Sequence, residues 1–276
     1  MKILVTGGSG FIGKTFIKRY RNVFDIIAPT PEQTDLTDAR SVAALFKADK
    51  FDAVLHLAGL AGGRPAPEAD NIIMFKNVQY FAIANGVKKL IAFCDGLECG
   101  ASSSITDASE DMLDNSLPVG GCGTDGYLIK TLAGKDKITT LLRVFGVYGA
   151  GDASRPINKI VAAGARGKRR IVIERDRAVS AISVSDAVRV VAEFLLGDFP
   201  RGDYNLVSDD KTSYLEVAKT VRRLVRRDGG DIDIVVKNPK PECECTASNE
   251  KLVNTLGVRL ATVPSGIKKL YEELSR

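Results

Sequence analysis

A glycine-rich turn set between an apolar run and a helical pattern restricts this chain more than any other feature. Ile3-Leu4-Val5 leads into Thr6-Gly7-Gly8-Ser9-Gly10-Phe11-Ile12-Gly13, which satisfies both GxGxxG (Gly8, Gly10, Gly13) and GxxGxxG (Gly7, Gly10, Gly13). Glycine permits a tight turn, lets backbone approach a pyrophosphate, and allows the following helix to pack closely on its strand. The start of that helix presents backbone N–H groups and the positive end of its dipole. Strand, turn and helix in this order are the context in which the motif signifies a dinucleotide site. Gly7, Gly10, Phe11, Ile12 and Gly13 are therefore the first candidate cofactor contacts.

The rest of the N-terminal half alternates short apolar runs with longer helical patterns, the mark of βαβ units and a parallel sheet. Strands are expected at Ile3-Leu4-Val5, Ile26-Ile27-Ala28, Ala53-Val54-Leu55-His56-Leu57, Leu90-Ile91-Ala92-Phe93 and Thr140-Leu141-Leu142-Arg143-Val144. Helices fall at about 11–21, 38–47, 68–85 and 125–135. Apolar runs this continuous suit strands covered on both faces. The expected fold class is α/β, a doubly wound parallel Rossmann sheet with a smaller C-terminal α/β lobe. After Gly149-Ala150-Gly151 the rhythm changes, with helices near 154–166, 213–227 and 264–275, strands near 170–173 and 232–236, and a strand and helix near 180–197. This divides the chain into a Rossmann domain of 1–150 plus about 178–205, and a substrate lobe of about 151–177 and 206–276.

Composition narrows the class. Hydrophobic residues are 45% and charged residues 26%, an ordinary globular balance that argues against disorder. No run approaches the roughly 20 apolar residues of a membrane span, and the start of the chain passes straight into the glycine turn, so no membrane partner and a cytoplasmic location are expected. The five cysteines, Cys94, Cys99, Cys122, Cys243 and Cys245, form no CxxC pair, which suggests free thiols rather than a disulfide framework or a zinc ribbon; no metal is expected. A net charge of +5 raises the question of nucleic acid. Arg222-Arg223 and Arg226-Arg227, however, repeat at i, i+4 opposite an apolar stripe and read as a solvated helix face, and nucleic acid is not an expected partner. Lys168-Arg169-Arg170 suits an anionic small molecule equally well.

An NAD site commonly ends its second strand on an acid that binds the ribose hydroxyls. Here that strand ends Ala28-Pro29-Thr30, with Glu32 following Pro31 in the loop. The missing acid favours NADP within NAD(P), with Lys14 or a nearby Arg as phosphate partner.

Beyond the turn, Asp35-Leu36-Thr37-Asp38, His56-Leu57-Ala58-Gly59, Asn71, Asn77, Gly86-Val87-Lys88-Lys89, Arg143-Val144-Phe145-Gly146-Val147-Tyr148-Gly149, Gly202-Asp203-Tyr204-Asn205-Leu206-Val207 and Leu256-Gly257 stand at matching intervals. In these the chain resembles the extended short-chain dehydrogenases/reductases, the nucleotide-sugar epimerase/dehydratase group, from Met1 to about Leu270. The resemblance implies that Asp35 and Leu36 meet the adenine, that Leu57, Ala58 and Gly59 line the cofactor, and that Phe145 and Gly146 lie beside nicotinamide and sugar. It further implies a nucleotide-sugar-like substrate, hydride exchange at a sugar carbon by epimerisation or keto-reduction, and a homodimer formed through helices flanking the sheet.

The family's proton carrier is a Tyr supported by a Lys one helical turn later, spaced Tyr-x-x-x-Lys. Lys130 matches the Lys and, by the same resemblance, clamps the nicotinamide ribose. Tyr127 precedes it by only three residues, and Gly126 occupies the family position. Because i+3 and i+4 partners share a helix face, Tyr127 is the candidate carrier; the alternative is a packing or surface Tyr in a helix whose catalytic position has been lost. Asp95 stands where the family has a Ser or Thr, and Gly96 and Leu97 replace the acid pair of dehydratases. Val179-Ser180 replaces an Arg-Asp pair, leaving nearby Arg177 as the candidate substrate-diphosphate contact. These departures keep a second class of function open, a catalytically degenerate NAD(P)-binding sensor or assembly protein of the same fold.

Overall fold

The computed structural model describes residues 1–59, 68–96, 105–114, 124–238 and 245–276. In chain order the first half forms β1 (Lys2–Thr6), α1 (Phe11–Tyr20), β2 (Asp25–Ile27), α2 (Ala39–Ala48), β3 (Ala53–His56), α3 (Glu68–Ala84), β4 (Lys89–Asp95), β5 (Ile105–Ala108), α4 (Glu110–Asp114), α5 (Thr124–Ala133) and β6 (Thr139–Val144). The second half forms β7 (Val147–Tyr148), α6 (Pro156–Ala165), β8 (Arg170–Arg175), β9 (Ala178–Val179), β10 (Ile182–Ser183), α7 (Val184–Leu196), β11 (Gly202–Leu206), β12 (Thr212–Ser213), α8 (Tyr214–Arg227), β13 (Asp233–Asn238), β14 (Cys245–Ala247), α9 (Glu250–Leu256) and α10 (Val263–Leu274). The chain separates into two units, Met1–Glu98 with Gly120–Arg143 and Val188–Tyr204, and Cys99–Val119 with Val144–Ala187 and Asn205–Arg276. Residues 144–187 fall in the second unit and residues 188–204 in the first.

The first unit is built on a six-stranded parallel sheet in the order β11-β6-β4-β3-β1-β2. From β1 the chain goes outward to β2 and then crosses back to β3 on the other side, so the strand order reverses between β1 and β3. A parallel sheet opens its ligand crevice at the carboxyl ends of the strands at such a reversal. Leu4, Val54, Leu90 and Leu141 supply the sheet's share of a core completed by Phe46 of α2, Phe75 and Val78 of α3, and Ile129 of α5. Strands covered on both faces explain the apolar runs that made these elements legible. Asp38 caps α2 by accepting the Arg40 N–H at 2.9 Å.

In the second unit α8 is amphipathic, with Val217, Ala218, Val221, Leu224 and Val225 buried against α6 and α10. Burying each valine or leucine contributes roughly 1.5–3 kcal/mol, which fixes the helix's rotation. Ser213 and Glu216 stand as a capping pair at its start, with the Ser213 hydroxyl accepting the Glu216 N–H at 3.3 Å. The basic pairs do form its solvated face: Arg222 and Arg226 both fork onto Asp231, and Arg227 pairs with Asp228 and Glu272. A sheet of order β12-β9-β14-β5 and two parallel pairs, β7 with β10 and β8 with β13, complete this unit.

Among the described residues no helix is long and apolar enough to cross a membrane, and no group of three or more His, Cys, Asp or Glu is placed to hold a metal ion. Cys94 is buried. Cys99, Cys122 and Cys243 lie outside the described residues.

Candidate active site

The parallel strands β1, β3 and β4 end on one edge of the sheet, which brings Thr6-Gly7, His56-Leu57 and Asp95 to that edge. Gly7 has φ +71°, in the left-handed region. A Cβ there would lie 2.6 Å from the Ala58 nitrogen and 2.7 Å from the Leu57 carbonyl oxygen. At Gly13 a Cβ would drive into the Gly7 carbonyl oxygen and reach the Gly8 Cα at 2.8 Å. Turn, helix start and β3 exit therefore pack backbone against backbone, which only glycine permits at these two positions.

The turn closes with the Gly10 N–H donating to the Gly7 carbonyl at 3.0 Å, and α1 starts at once, Lys14 N–H donating to the Gly10 carbonyl at 2.9 Å. Gly10 is the N-cap and brings no side chain to satisfy the first amides, and the first turn carries no acid to offset the dipole. Phe11 and Ile12 sit half-buried in that turn. An electropositive helix start in a side-chain-free cradle is what a pyrophosphate requires. The residues present fit a dinucleotide: Gly7 to Gly13 for its diphosphate, with Leu57, Ala58 and Gly59 beside them.

Two polar side chains tie together segments at this end of the sheet. The Thr6 hydroxyl lies 2.8 Å from His56 Nδ1 and accepts the Ala58 N–H at 3.4 Å, tying the ends of β1 and β3 together. His56 is buried against Phe75, and burial pushes its pKa down to about 4. The imidazole is accordingly neutral at pH 7. The other side chain is Asn77 of α3, whose amide donates to the carbonyls of Leu36 at 2.9 Å and Thr37 at 3.1 Å. Asp35 accepts the Thr37 N–H at 2.8 Å and its hydroxyl at 2.7 Å, and these bonds hold its carboxyl below the usual range. Glu32, the alternative ribose acid, is held below the usual carboxylate range chiefly by a hydrogen bond to Thr30.

Of the catalytic candidates, Asp95 ends β4 and Tyr127 and Lys130 share α5, three positions apart. The side chains of Asp95 and Tyr127 lie outside the described residues; Lys130 is half-buried. Ile129 buries the inner face of α5 beside β4 and α3. Gln79 of α3 ties down the helix's end by donating to the Leu132 carbonyl at 2.9 Å.

The expected substrate contacts fall in the second unit. The Gly146 carbonyl accepts the Ile182 N–H at 2.9 Å, and a Cβ on Gly146 would come within 3.2 Å of the Ser180 carbonyl oxygen. A side chain at Gly146 would crowd that carbonyl. Phe145 beside it is half-buried. Arg177 lies over the Tyr214 ring, 5.7 Å from its centroid, and its Nη2 donates to the Tyr214 hydroxyl at 3.4 Å.

Sequence reasoning passed over the Thr6 hydroxyl and the role of the Asn77 amide. A Thr entering a glycine turn opposite the chain's single His was the available signal for the first. For the second, the sequence offered only an Asn at family spacing.

Fold and cradle together define a Rossmann dinucleotide-binding protein. The chain belongs to the NAD dependent epimerase/dehydratase family, whose sequence model matches residues 3–206, and so to a family of nicotinamide-dinucleotide enzymes. It is 30% identical over 206 residues, 69% of each chain, to a GDP-6-deoxy-D-talose 4-dehydrogenase from Aggregatibacter actinomycetemcomitans. Among solved structures it is similar to a UDP-glucose 4-epimerase from Thermotoga maritima determined with UDP-glucose, at a TM-score of 0.82 and 22% identity, covering 99% of this chain and 98% of that one. A GDP-mannoheptose C4 reductase from Campylobacter jejuni with NADP bound superposes at a TM-score of 0.79 and 20% identity, covering 98% and 97%. At these identities the two structures establish the shared fold.

Proposed function

We propose that this protein is an NAD(P)-dependent epimerase or ketoreductase acting on a nucleotide-activated sugar. The observation that carries the proposal is the glycine cradle at the β1/β3 reversal, joined to the 30% identity with a GDP-sugar dehydrogenase. When bound, the nicotinamide supplies or accepts a hydride at the sugar carbon. Tyr127 moves the proton at the sugar oxygen, Lys130 lowers the pKa of that Tyr by its charge and holds the ribose hydroxyls, and Asp95 accepts a hydrogen bond from the substrate. Phe145 and Gly146 line the sugar, and Arg177 meets its diphosphate.

NADP is the proposed choice over NAD, supported by the absence of an acid at the end of β2. Titration with both cofactors decides it. The proposed assembly is a homodimer, supported by an exposed apolar stripe of Ile73, Tyr80 and Ile83 on α3, and sedimentation velocity reads it directly. The cytoplasm is the proposed compartment, supported by a cysteine pattern in the sequence that suggests no disulfide framework; fractionation of cells producing the protein checks it.

The test of function is turnover with NADH or NADPH across a panel of UDP- and GDP-sugars and their 4-keto forms. Tyr127→Phe is expected to reduce turnover at least a hundredfold with cofactor affinity retained; full turnover in that variant removes its assigned role. A second reading, dinucleotide binding without this catalysis, is favoured by Gly126 standing four positions before Lys130 in α5. Tight cofactor binding with no turnover on any member of the panel would select it.

A further inference from the structure

Two helix-to-strand turns stand side by side at one end of the second unit. Helix α6 runs out at Gly167, φ +63°, with the Gly167 N–H donating to the Gly164 carbonyl and the Lys168 N–H to that of Ala163, both at 3.0 Å. Helix α8 closes in the same way, the Gly229 N–H donating to the Arg226 carbonyl at 3.1 Å and the Gly230 N–H to that of Val225 at 3.0 Å. In this closure a left-handed glycine turns the chain sharply out of the helix. The two chains then enter the parallel strands β8 and β13, where Arg170 stands opposite Asp233. The helices touch where they end, since a Cβ on Gly164 would drive into the Val221 side chain.

The turns gather positive charge that the unit does not answer. In the second turn Arg222 and Arg226 share Asp231, and Arg227 has Asp228 and Glu272. In the first, Arg166, Lys168 and Arg169 are exposed and have no carboxylate partner among the described residues. Arg223 adds a further exposed cation, bonded to the neutral Thr220 hydroxyl at 2.9 Å. Cations commonly offset the negative end of a helix, but that end carries only about half a charge. The end of α6 therefore accounts for a fraction of one of these cations.

The patch is separate from the proposed substrate contacts. β8 runs for six residues, about 17 Å, from Arg170 at the patch to Arg175, beyond which lies Arg177. The start of α6 is tied to Gly149 by the Asn158 side chain, so its far end, with Arg166, points away from the Phe145-Gly146 segment. We infer that this basic end of the second unit docks on an anionic lipid surface. Arg and Lys suit phosphate headgroups, and the leaflet of a cell membrane that faces the cytoplasm is the anionic one. Lying on a membrane requires no spanning helix.

Two observations favour lipid over nucleic acid. No aromatic residue occurs from Gly164 to Val172 or from Lys219 to Val235, so the patch offers no platform on which bases could stack. Val172 and Val235 face each other in register, two residues beyond Arg170 and Asp233, and remain 43% and 39% exposed. Apolar surface beside cations is used at the headgroup boundary and has no counterpart on a phosphate backbone.

The experiment is co-flotation of the full chain with vesicles of phosphatidylcholine alone, and of phosphatidylcholine with about 30% phosphatidylserine. Wild type is expected to partition at least tenfold more onto the anionic vesicles, and to lose that preference in about 0.5 M salt. The triple variant Arg166→Gln, Lys168→Gln, Arg169→Gln is expected to fall to within about twofold of its partition onto neutral vesicles, from roughly fivefold per cation removed. Lys18→Gln with Lys47→Gln and Lys50→Gln removes the same charge from exposed positions of the first unit and is expected to keep the preference. Circular dichroism checks folding, and should the triple variant misfold, Lys168→Gln and Arg169→Gln singly are each expected to lose about three- to fivefold. Equal partition of wild type onto both vesicles overturns the inference, as does a triple variant that keeps the preference. An equal loss in the first-unit variant overturns it too, by assigning the effect to net charge. Tighter binding to duplex DNA than to anionic vesicles at equal phosphate concentration assigns the patch to nucleic acid and overturns the lipid occupant.

Discussion

Acidification should destabilise this protein through its single histidine. His56 is buried between the Thr6 hydroxyl and Phe75, and burial holds its pKa near 4 against an ordinary value near 6.5. The folded state therefore takes up this proton only below about pH 4, whereas the unfolded chain takes it up from about pH 6.5 downward. Protons drive the equilibrium toward the state that binds them, so stability is fully present above pH 6.5 and is lost as pH falls toward 4. A separation of some 2.5 pH units corresponds to about 3 kcal/mol in all, of which about 2 kcal/mol is gone by pH 5. The assay is urea unfolding at pH 7.0, 6.0 and 5.0 on the wild type and on His56→Asn, whose amide is short enough to keep a partner for Thr6 and does not titrate. Lost ring packing lowers the variant's stability at every pH, but its fall between pH 7 and 5 should be about 2 kcal/mol smaller than that of the wild type. Equal falls in the two proteins would refute the assignment of a buried, neutral imidazole beneath the cradle.

Three further outcomes test other parts of the molecule. Gly7→Ala places a Cβ 2.6 Å from the Ala58 nitrogen at φ +71°, and calorimetry is expected to show dinucleotide affinity reduced tenfold or more; normal binding would remove the cradle. Exchanging two residues of α5, Gly126→Tyr with Tyr127→Gly, restores the family's spacing to Lys130; if Tyr127 is the proton carrier turnover falls at least tenfold, and a gain would show that the tyrosine belongs one residue earlier. The Tyr148 hydroxyl is buried without a hydrogen-bond partner among the described residues, and burial with the charges of Asp210 and Asp186 raises its pKa. Tyr148→Phe is expected to raise stability by about 1 kcal/mol in urea unfolding, and a loss of that size would reveal a partner for the hydroxyl.

What the sequence disclosed and what it withheld divide along the range of the interactions involved. β1, β3, β4 and β6 and the helices between them announce themselves because each is a contiguous apolar or amphipathic run whose period is set locally. The sheet of order β12-β9-β14-β5 gave no such signal: its strands are two to four residues long, and β14 pairs with β5 across roughly 140 residues, a match that no window along the chain contains. Nothing near Lys89 in the sequence signals its partners: its ammonium donates to the carbonyls of Phe194 at 3.2 Å and Leu195 at 2.9 Å and to that of Gly197, closing the end of α7. The cradle was legible for the same reason as the strands, since Gly7, Gly10 and Gly13 act on one another within a single turn. The polar bonds around it were not, because Thr6 with His56, and Asn77 with Leu36 and Thr37, meet only once β1, β3 and α3 have packed. A site read from sequence therefore yields the groups that touch the ligand sooner than the groups that aim them, and the latter must be sought among polar side chains bonded to the backbone of a distant loop.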